Sequence, residues 1–229
     1  MNNDLILALK EAKQKDSYVA LPDDFLCKLI FSSISFDDSN LKESDVEKVL
    51  KGEFTGVSAD KVLKIINQKN ALNKVLSMVE NKEPLNENAL KDIHQILCEG
   101  TNVIGGLYRN VNISVKGSNH TPCSHEKVYD RMDKYFRFIE DGAKGDLFEY
   151  ISYIHLQLLK IHPFLDCNGR LSRLVLNYEL LSNGYAPVLF LQDVRSDYFK
   201  TVETFKVEKE IVPFVDFLMK EELKSLNIL

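Results

Sequence analysis

Twelve consecutive residues, 162–173, concentrate the side chains that phosphate chemistry needs. They read His-Pro-Phe-Leu-Asp-Cys-Asn-Gly-Arg-Leu-Ser-Arg. Within this run, His162 is the side chain that can accept a proton near neutral pH. Asp166 can ligate Mg²⁺, which bridges phosphates and neutralises their charge. The run predicts a site that holds a metal-bound polyphosphate beside a general base, and therefore the transfer of part of a nucleotide to an acceptor.

The second half of the run predicts the phosphate grip. A helix is expected to begin near Gly169, and the free N–H groups and dipole of its first turn favour an anion. Arg170 and Arg173 are three residues apart, so they fall on one side of this helix, where guanidinium groups can hold phosphate oxygens bidentately. The uncharged amide of Asn168 suits either of two tasks, orienting a phosphate oxygen or completing the loop.

Two plainer interpretations explain less of the run. A buried loop in which Asp166 caps a helix and the arginines form surface ion pairs accounts for each residue alone, but not for all twelve together. A reactive thiol at Cys167 would need partner residues, and no others in the sequence form a thiol catalytic set.

The elements that position the run are predicted to be helices. Apolar residues recur at helical spacing over about 58–81 and on both sides of the run. Ser44 and Glu47 have capping-box spacing and predict the start of a short helix. Asn112–Val115 alternates briefly between glycine-rich turns and predicts a hairpin strand. The fold class is therefore all-α with a small β-hairpin flap. The other helical patterns surround Leu90–Leu97, Val128–Ile139, Leu147–Ile161, Leu171–Leu181 and Phe214–Leu218.

Composition limits the class of protein and its partners. The chain has 229 residues, 45% of them hydrophobic, enough for a sizeable core. We expect an N-terminal helical region over 1–83 and a core with C-terminal helices over 84–229. A net charge of −5 argues against a nucleic-acid partner. No apolar stretch reaches eighteen residues, which argues against a membrane partner.

The compartment is expected to be the cytoplasm. The N-terminus lacks the basic start, apolar block and cleavage site of a signal peptide, although export by a route without such a peptide stays open. Four cysteines are scattered without a Cys-x-x-Cys pair, so neither a zinc site nor a disulfide framework is indicated.

The run resembles the signature of the Fic family (filamentation induced by cAMP), usually His-x-Phe-x-Asp/Glu-Gly-Asn-Gly-Arg-x-x-Arg. Cys167 stands where glycine is usual. Gly106-Leu-Tyr108-Arg109 before the Asn112–Val115 segment resembles the approach to the family's flap. The resemblance covers about residues 30–205.

This resemblance implies a Fic-type helical bundle and a protein adenylyltransferase that uses ATP and Mg²⁺. His162 would deprotonate a Ser, Thr or Tyr hydroxyl of a target protein. Asp166 would hold the metal, and the flap would pair main chain to main chain with the target. The residues implied in nucleotide binding are Cys167, Asn168, Gly169, Arg170 and Arg173, and those of the flap are Asn112, Ile113, Ser114 and Val115.

A built-in brake is implied by a second resemblance. Many Fic proteins carry an inhibitory helix with Ser/Thr-x-x-x-Glu, whose glutamate pairs with the second arginine of the signature and displaces the γ-phosphate. Ser33 and Asp37 match this spacing, with aspartate in place of glutamate. Because aspartate is one methylene shorter, a weaker brake is expected. An N-capping aspartate in a polar loop is the alternative.

Two other functions stay open at this point. A side chain at position 167 is compatible with transfer of UMP, phosphate or phosphocholine, since relatives with alanine there transfer other groups. A catalytically weak module that regulates a partner is the third hypothesis. A homo-oligomer is also among the expectations, because family members often pair through helical surfaces.

Overall fold

The computed structural model describes Leu9 and residues 21–229, and these residues are helical or irregular. The stretch without a signal peptide pattern, residues 1–20, lies outside the described residues apart from the buried, helical Leu9. No helix in the described part is both long enough and apolar enough to cross a membrane. The helices of residues 21–229 are α1 (Asp23–Ser35), α2 (Glu43–Leu50), α3 (Ala59–Glu80), α4 (Glu87–Leu97), α5 (Val128–Asp141), α6 (Leu147–Ile161), α7 (Asn168–Ser182), α8 (Arg195–Glu208) and α9 (Val212–Ile228), with 3-10 turns at His125–Lys127 and Gln192–Val194.

The predicted helices lie where hydrophobic periodicity places them, and the capping-box start is wrong by two residues. Helix α3 matches the predicted span of 58–81 almost to the residue. Helix α2 begins at Glu43, not after Ser44. The carboxylate of Asp45 accepts the backbone N–H of Lys42 at 3.3 Å, which moves the cap towards the N-terminus.

The β-hairpin part of the predicted fold class is wrong. Within residues 21–229 no segment is a strand, and Asn112–Val115 is irregular backbone that ends in a turn closed by Ser118 N–H and the Val115 carbonyl. A strand needs a neighbour to take up its backbone groups. The returning arm is instead tied to α8, because the Ser118 hydroxyl donates to Glu203 at 2.7 Å. Alternation alone therefore does not make a strand here.

Helices α6 and α7 form the centre of the molecule, and the run 162–173 is the loop and first turns that join them. Every residue of α7 from Arg170 to Leu181 is buried, as expected of a helix covered on all sides. One apolar core joins α1–α5 to this pair, and a second joins it to α8 and α9. The first core spans both sides of the expected boundary near residue 83, and the division into two regions stays a prediction.

A buried histidine fastens three of these helices together. His155 of α6 donates from Nδ1 to the Ser172 carbonyl of α7 at 2.9 Å, and its Nε2 accepts the Tyr198 hydroxyl of α8 at 2.9 Å. Burial lowers the pKa of His155 to about 3, so the ring is neutral. This tie fixes α7 relative to the helices on both of its sides.

Glu179 carries a testable cost to stability. Burial raises the pKa of this α7 carboxyl to about 7, above its ordinary value of 4.5. The stability that depends on a protonated Glu179 is therefore fully present below pH 4.5, and it is lost as the pH rises through 7. We expect Glu179→Gln to raise the free energy of unfolding by about 1–2 kcal/mol at pH 8 and by less at pH 5. Thermal melts at both pH values test this, with the exposed Glu140→Gln as control; an equal gain at both would contradict it.

Candidate active site

His162 lies immediately after α6 in a left-handed conformation, with φ 52° and ψ 62°. Its backbone N–H closes the last helical turn on the Leu158 carbonyl, and Pro163 then prevents the helix from continuing. The buried Arg109 holds this backbone from outside. Its Nε donates to the His162 carbonyl at 2.9 Å, and its backbone N–H donates to the Pro163 carbonyl at 2.9 Å. The imidazole is thus mounted on a fixed backbone.

The electrostatics of His162 leave one ring nitrogen as a base. Nδ1 donates to the Leu159 carbonyl at 3.4 Å, and because a carbonyl can only accept, the lone pair is on Nε2. Burial, followed by the positive charge of Lys206, lowers the pKa of His162 to about 4. The imidazole is therefore neutral at pH 7 and able to take a proton.

The loop after His162 is closed by the amide of Asn168. This buried side chain donates to the Phe164 carbonyl at 2.9 Å and to the Asp166 carbonyl at 3.3 Å, and it accepts the Phe164 N–H at 3.0 Å. Both of its amide hydrogens are used. Of the two tasks expected from the sequence, the structure shows that Asn168 completes the loop.

Asp166 points out of this loop and is exposed. Its Oδ1 accepts the backbone N–H of Cys167 at 2.6 Å, which leaves Oδ2 without a protein partner among the described residues. A carboxylate that is fixed through one oxygen and open through the other suits a hard cation such as Mg²⁺. The residue present therefore fits the Mg²⁺ ion expected from the sequence.

An anion cradle lies at the start of α7; we use this name for the N–H groups of Asn168, Gly169 and Arg170 together with the guanidinium groups of Arg170 and Arg173. Helix geometry leaves these three N–H groups without an acceptor in the helix. A Cβ on Gly169 would approach Nη1 of Arg173 to 3.3 Å, so a side chain there would fill the cradle. Arg170 is buried, and its Nη1 has no hydrogen-bond partner within the described structure. A buried cation with unused donors indicates an anion as ligand.

Ser33 and Asp37 reach this cradle from the end of α1. Arg173 donates to the Ser33 carbonyl at 2.6 Å and to Oδ2 of Asp37 at 2.9 Å, and the Ser33 hydroxyl lies 3.4 Å from its Nε. Oδ1 of Asp37 lies 3.3 Å from the Cβ position of Gly169. The Asp37 carboxylate therefore occupies the anion cradle, and the shorter aspartate side chain does reach the arginine.

The flap segment, Asn112–Val115, follows Val111, whose carbonyl accepts a hydrogen bond from Nη1 of Arg109 at 3.0 Å, and its backbone groups are unused. The Asn112 side chain accepts the backbone N–H of His125 at 2.9 Å and so fixes one end. In the described structure, the backbone N–H and C=O groups of residues 112–114 have no backbone partner. An irregular segment with free backbone groups can still accept an extended peptide.

His94 belongs to the site although its sequence context suggests an ordinary packed or surface histidine. It is fully buried and stacks on Phe164 with ring centroids 3.7 Å apart. Its Nδ1 accepts the Gly106 N–H at 2.9 Å, and its Nε2 lies 3.2 Å from the Asp166 carbonyl. His94 is a positioning residue for the loop. The sequence pattern that could have identified it is its position on the apolar face of α4, four residues after Leu90 and three before Leu97.

Comparison with known proteins supports the resemblance to the Fic family. Residues 84–180 match the family model described as Fic/DOC family. The chain is 26% identical over 204 residues to the protein adenylyltransferase Fic of Drosophila persimilis, an alignment that covers 87% of this chain and 40% of that protein. The chain thus spans about two fifths of the length of the curated relatives it matches.

Solved structures show the same fold. A Fic domain containing signaling protein from Bacteroides thetaiotaomicron aligns over 98% of this chain and 93% of that one, with a TM-score of 0.80 and 21% identity. Fic-1 from C. elegans aligns over 98% of this chain and 69% of that one, with a TM-score of 0.85 and 17% identity. The resemblance seen in the sequence is confirmed: residues 84–180 match the Fic/DOC family model, and relatives named Fic and solved structures of Fic proteins align with most of this chain.

Proposed function

We propose that this protein is an adenylyltransferase that moves AMP from ATP to a Ser, Thr or Tyr hydroxyl of a target protein. The observation that carries the proposal is the neutral imidazole of His162, with Nε2 free, on the loop that leads into the anion cradle. The likeness to relatives named protein adenylyltransferase supports it.

The chemical step moves one proton to His162 and exchanges one bond at the α-phosphorus. Nε2 of His162 takes the proton of the target hydroxyl as its oxygen attacks the α-phosphorus. A new O–P bond forms, the bond to the β-phosphate oxygen breaks, and pyrophosphate leaves. Arg170 and the N–H groups of the anion cradle stabilise the charge that develops on the phosphate oxygens. Asp166 would hold a Mg²⁺ ion, which would neutralise negative charge on the phosphates.

The target is held by backbone rather than by a side-chain pocket. In this proposal an extended target segment pairs with the free backbone groups of residues 112–114. Such pairing reads chain direction and spacing, and places a hydroxyl at a set distance from the imidazole. Because backbone pairing does not read the side chain, it does not by itself select among Ser, Thr and Tyr.

The described state is the braked one in this proposal. Asp37 places a carboxylate in the anion cradle and holds Arg173, which is the residue assigned to the γ-phosphate. A carboxylate and a phosphate cannot share that place, because like charges repel at contact distance. Nucleotide therefore has to displace Asp37 before the triphosphate is bound along its whole length.

Mass spectrometry of the modified protein is the direct test. The chain is incubated with ATP, Mg²⁺ and cell lysate, and modified peptides are sequenced, with the chain itself included as a possible target. An added AMP group on a hydroxyl supports the proposal. An added phosphate, UMP or phosphocholine from a matching donor would replace it by another transfer, and no modification with any donor would favour a regulatory binding module.

The acid limb of the rate profile tests the state of His162. Because the pKa of His162 is about 4 in the protein without substrate, we expect kcat/KM to stay level from pH 7.5 down to about 5.5. The control is Lys206→Met, which removes a nearby positive charge and should move the acid limb to higher pH. A wild-type profile that already halves near pH 6.5 would contradict the prediction.

A further inference from the structure

Two cysteines from distant parts of the chain meet beneath the anion cradle. Cys98 ends α4 and Cys167 caps α7, and their sulfur atoms lie 3.5 Å apart. Both side chains are buried, but Cys167 follows the exposed residues Leu165 and Asp166. Scattered spacing in the sequence gave no hint of this pair, because the fold brings together residues 69 positions apart.

The surroundings of the pair favour a thiolate. Nη2 of Arg170 lies 2.9 Å from the Cys167 sulfur, and Nε2 of His94 lies 3.5 Å from the Cys98 sulfur. The hydrogen bond with Cys167, then the contact with His94 and the charge of Arg170, lower the pKa of Cys98 against the opposing effect of burial. A thiol close to a cation such as Arg170 reacts with oxidants sooner than an isolated buried thiol.

A metal centre is the competing interpretation, since ligand atoms of His94, Cys98 and Cys167 all lie within 4.8 Å of one another. The tautomer of His94 argues against it. Nδ1 accepts the Gly106 N–H, so Nε2 carries the hydrogen and donates to the Asp166 carbonyl. Coordination through Nε2 would remove that hydrogen and break both contacts that hold the loop.

We propose that Cys98 and Cys167 are an oxidation site at which a peroxide forms an intramolecular disulfide that closes the anion cradle. The Cys98 thiolate attacks one peroxide oxygen, the O–O bond breaks, and Cys98 becomes a sulfenic acid. The departing hydroxide takes up the proton that the Cys98 thiol released and becomes water. The Cys167 thiol then attacks that sulfur, the S–O bond breaks, and water leaves. Both sulfurs are oxidised, and one peroxide is reduced to two waters.

The disulfide affects the nucleotide site through Cys167 and Arg170. Because a disulfide holds its sulfurs about 2.05 Å apart, the 3.5 Å gap must close and the first turn of α7 must shift towards α4. Cys167 is itself in a left-handed conformation, with φ 62°, so its backbone has little freedom to absorb the movement. Arg170 also loses the thiol that now orients its Nη2. The effect on transfer rests on the proposed function, whereas the disulfide does not.

Peptide mapping tests the disulfide independently of its effect on transfer. The intact chain is treated with hydrogen peroxide, blocked at its free thiols and digested with trypsin without reductant. We expect residues 92–109 and 161–170 as one linked peptide that a dithiol reductant splits, and at least a tenfold loss of ATP binding that the reductant restores. Peroxide should leave ATP binding unchanged in Cys98→Ala, and Cys98→Ser serves if the alanine variant does not fold.

The matched control is Cys27→Ser, which removes another buried cysteine. Burial raises the pKa of Cys27 to about 11, so this variant should still form the linked peptide. A sulfinic acid on Cys98 without any link, a link to Cys123, or stoichiometric zinc bound by the untreated protein would overturn the oxidation site. A linked peptide with unchanged ATP binding would overturn the closure of the cradle. If untreated wild-type protein transfers no AMP, the proposed function is contradicted and the oxidation site is not.

Discussion

Replacing His162 by alanine is expected to lower the rate of AMP transfer by about 10²–10⁴-fold, the usual contribution of a positioned general base. The imidazole is neutral, Nε2 is its free nitrogen, and the sequence offers no second base within the run. The measurement is transfer of labelled AMP from ATP at saturating nucleotide, in wild type and variant. Equal labelling of both proteins would remove His162 from the mechanism.

Two further measurements show whether the loss is chemical. The affinity for ATP should change less than threefold, because the anion cradle is built from residues after Cys167. The melting temperature should also be kept, since His162 contributes one weak side-chain bond, to the Leu159 carbonyl. A variant that melts early or no longer binds ATP would instead make His162 a structural residue.

Asp37→Gly is expected to raise auto-modification by about 5- to 30-fold at ATP concentrations below saturation. The variant frees Arg173 and the place over Gly169 that the carboxylate occupies. A hydrogen bond to a charged group contributes about 1.5–3 kcal/mol. The exposed fraction of the Asp37 side chain is 45%, so solvent screening reduces this to about 1–2 kcal/mol, which converts to the stated factor.

The neighbouring aspartate provides a matched control. Asp38 carries the same charge one residue later, but it pairs with Lys64 at 3.3 Å and does not contact the anion cradle. Asp38→Gly should therefore leave auto-modification unchanged. If both variants raise activity equally, the effect comes from loosening the end of α1. If Asp37→Gly alone has no effect while its fold is intact, the aspartate is not inhibitory.

The long helices and the site could be predicted because both are written in local patterns. The spacing of Ile151, Ile154 and Leu158 determines how α6 is oriented, and the run 162–173 then follows where α6 must end. Ser33 and Asp37 were found through resemblance to an inhibitory motif, not through any property of an isolated serine and aspartate. Their contact with Arg173 joins residues 136 or more positions apart, which no local pattern encodes.

Three features depended on tertiary structure and could not be predicted. Asn112–Val115 alternates like a strand, but Glu203 of a distant helix takes up the arm that would have paired with it. His94 becomes a positioning residue only because Phe164 packs against its ring. Cys98 and Cys167 are unremarkable in the sequence and adjacent only in the fold.

The half-exposed contact between Asp37 and Arg173 makes the Asp37 carboxylate an intramolecular competitor of the nucleotide. Because it is part of the same chain, its local concentration is fixed by the short connection to α1 and does not change when the protein is diluted. Under the proposed function, ATP acts by its bulk concentration, so its occupancy of the site rises with the ATP concentration. Under that function, the protein modifies its target only where ATP is concentrated enough to displace the Asp37 carboxylate.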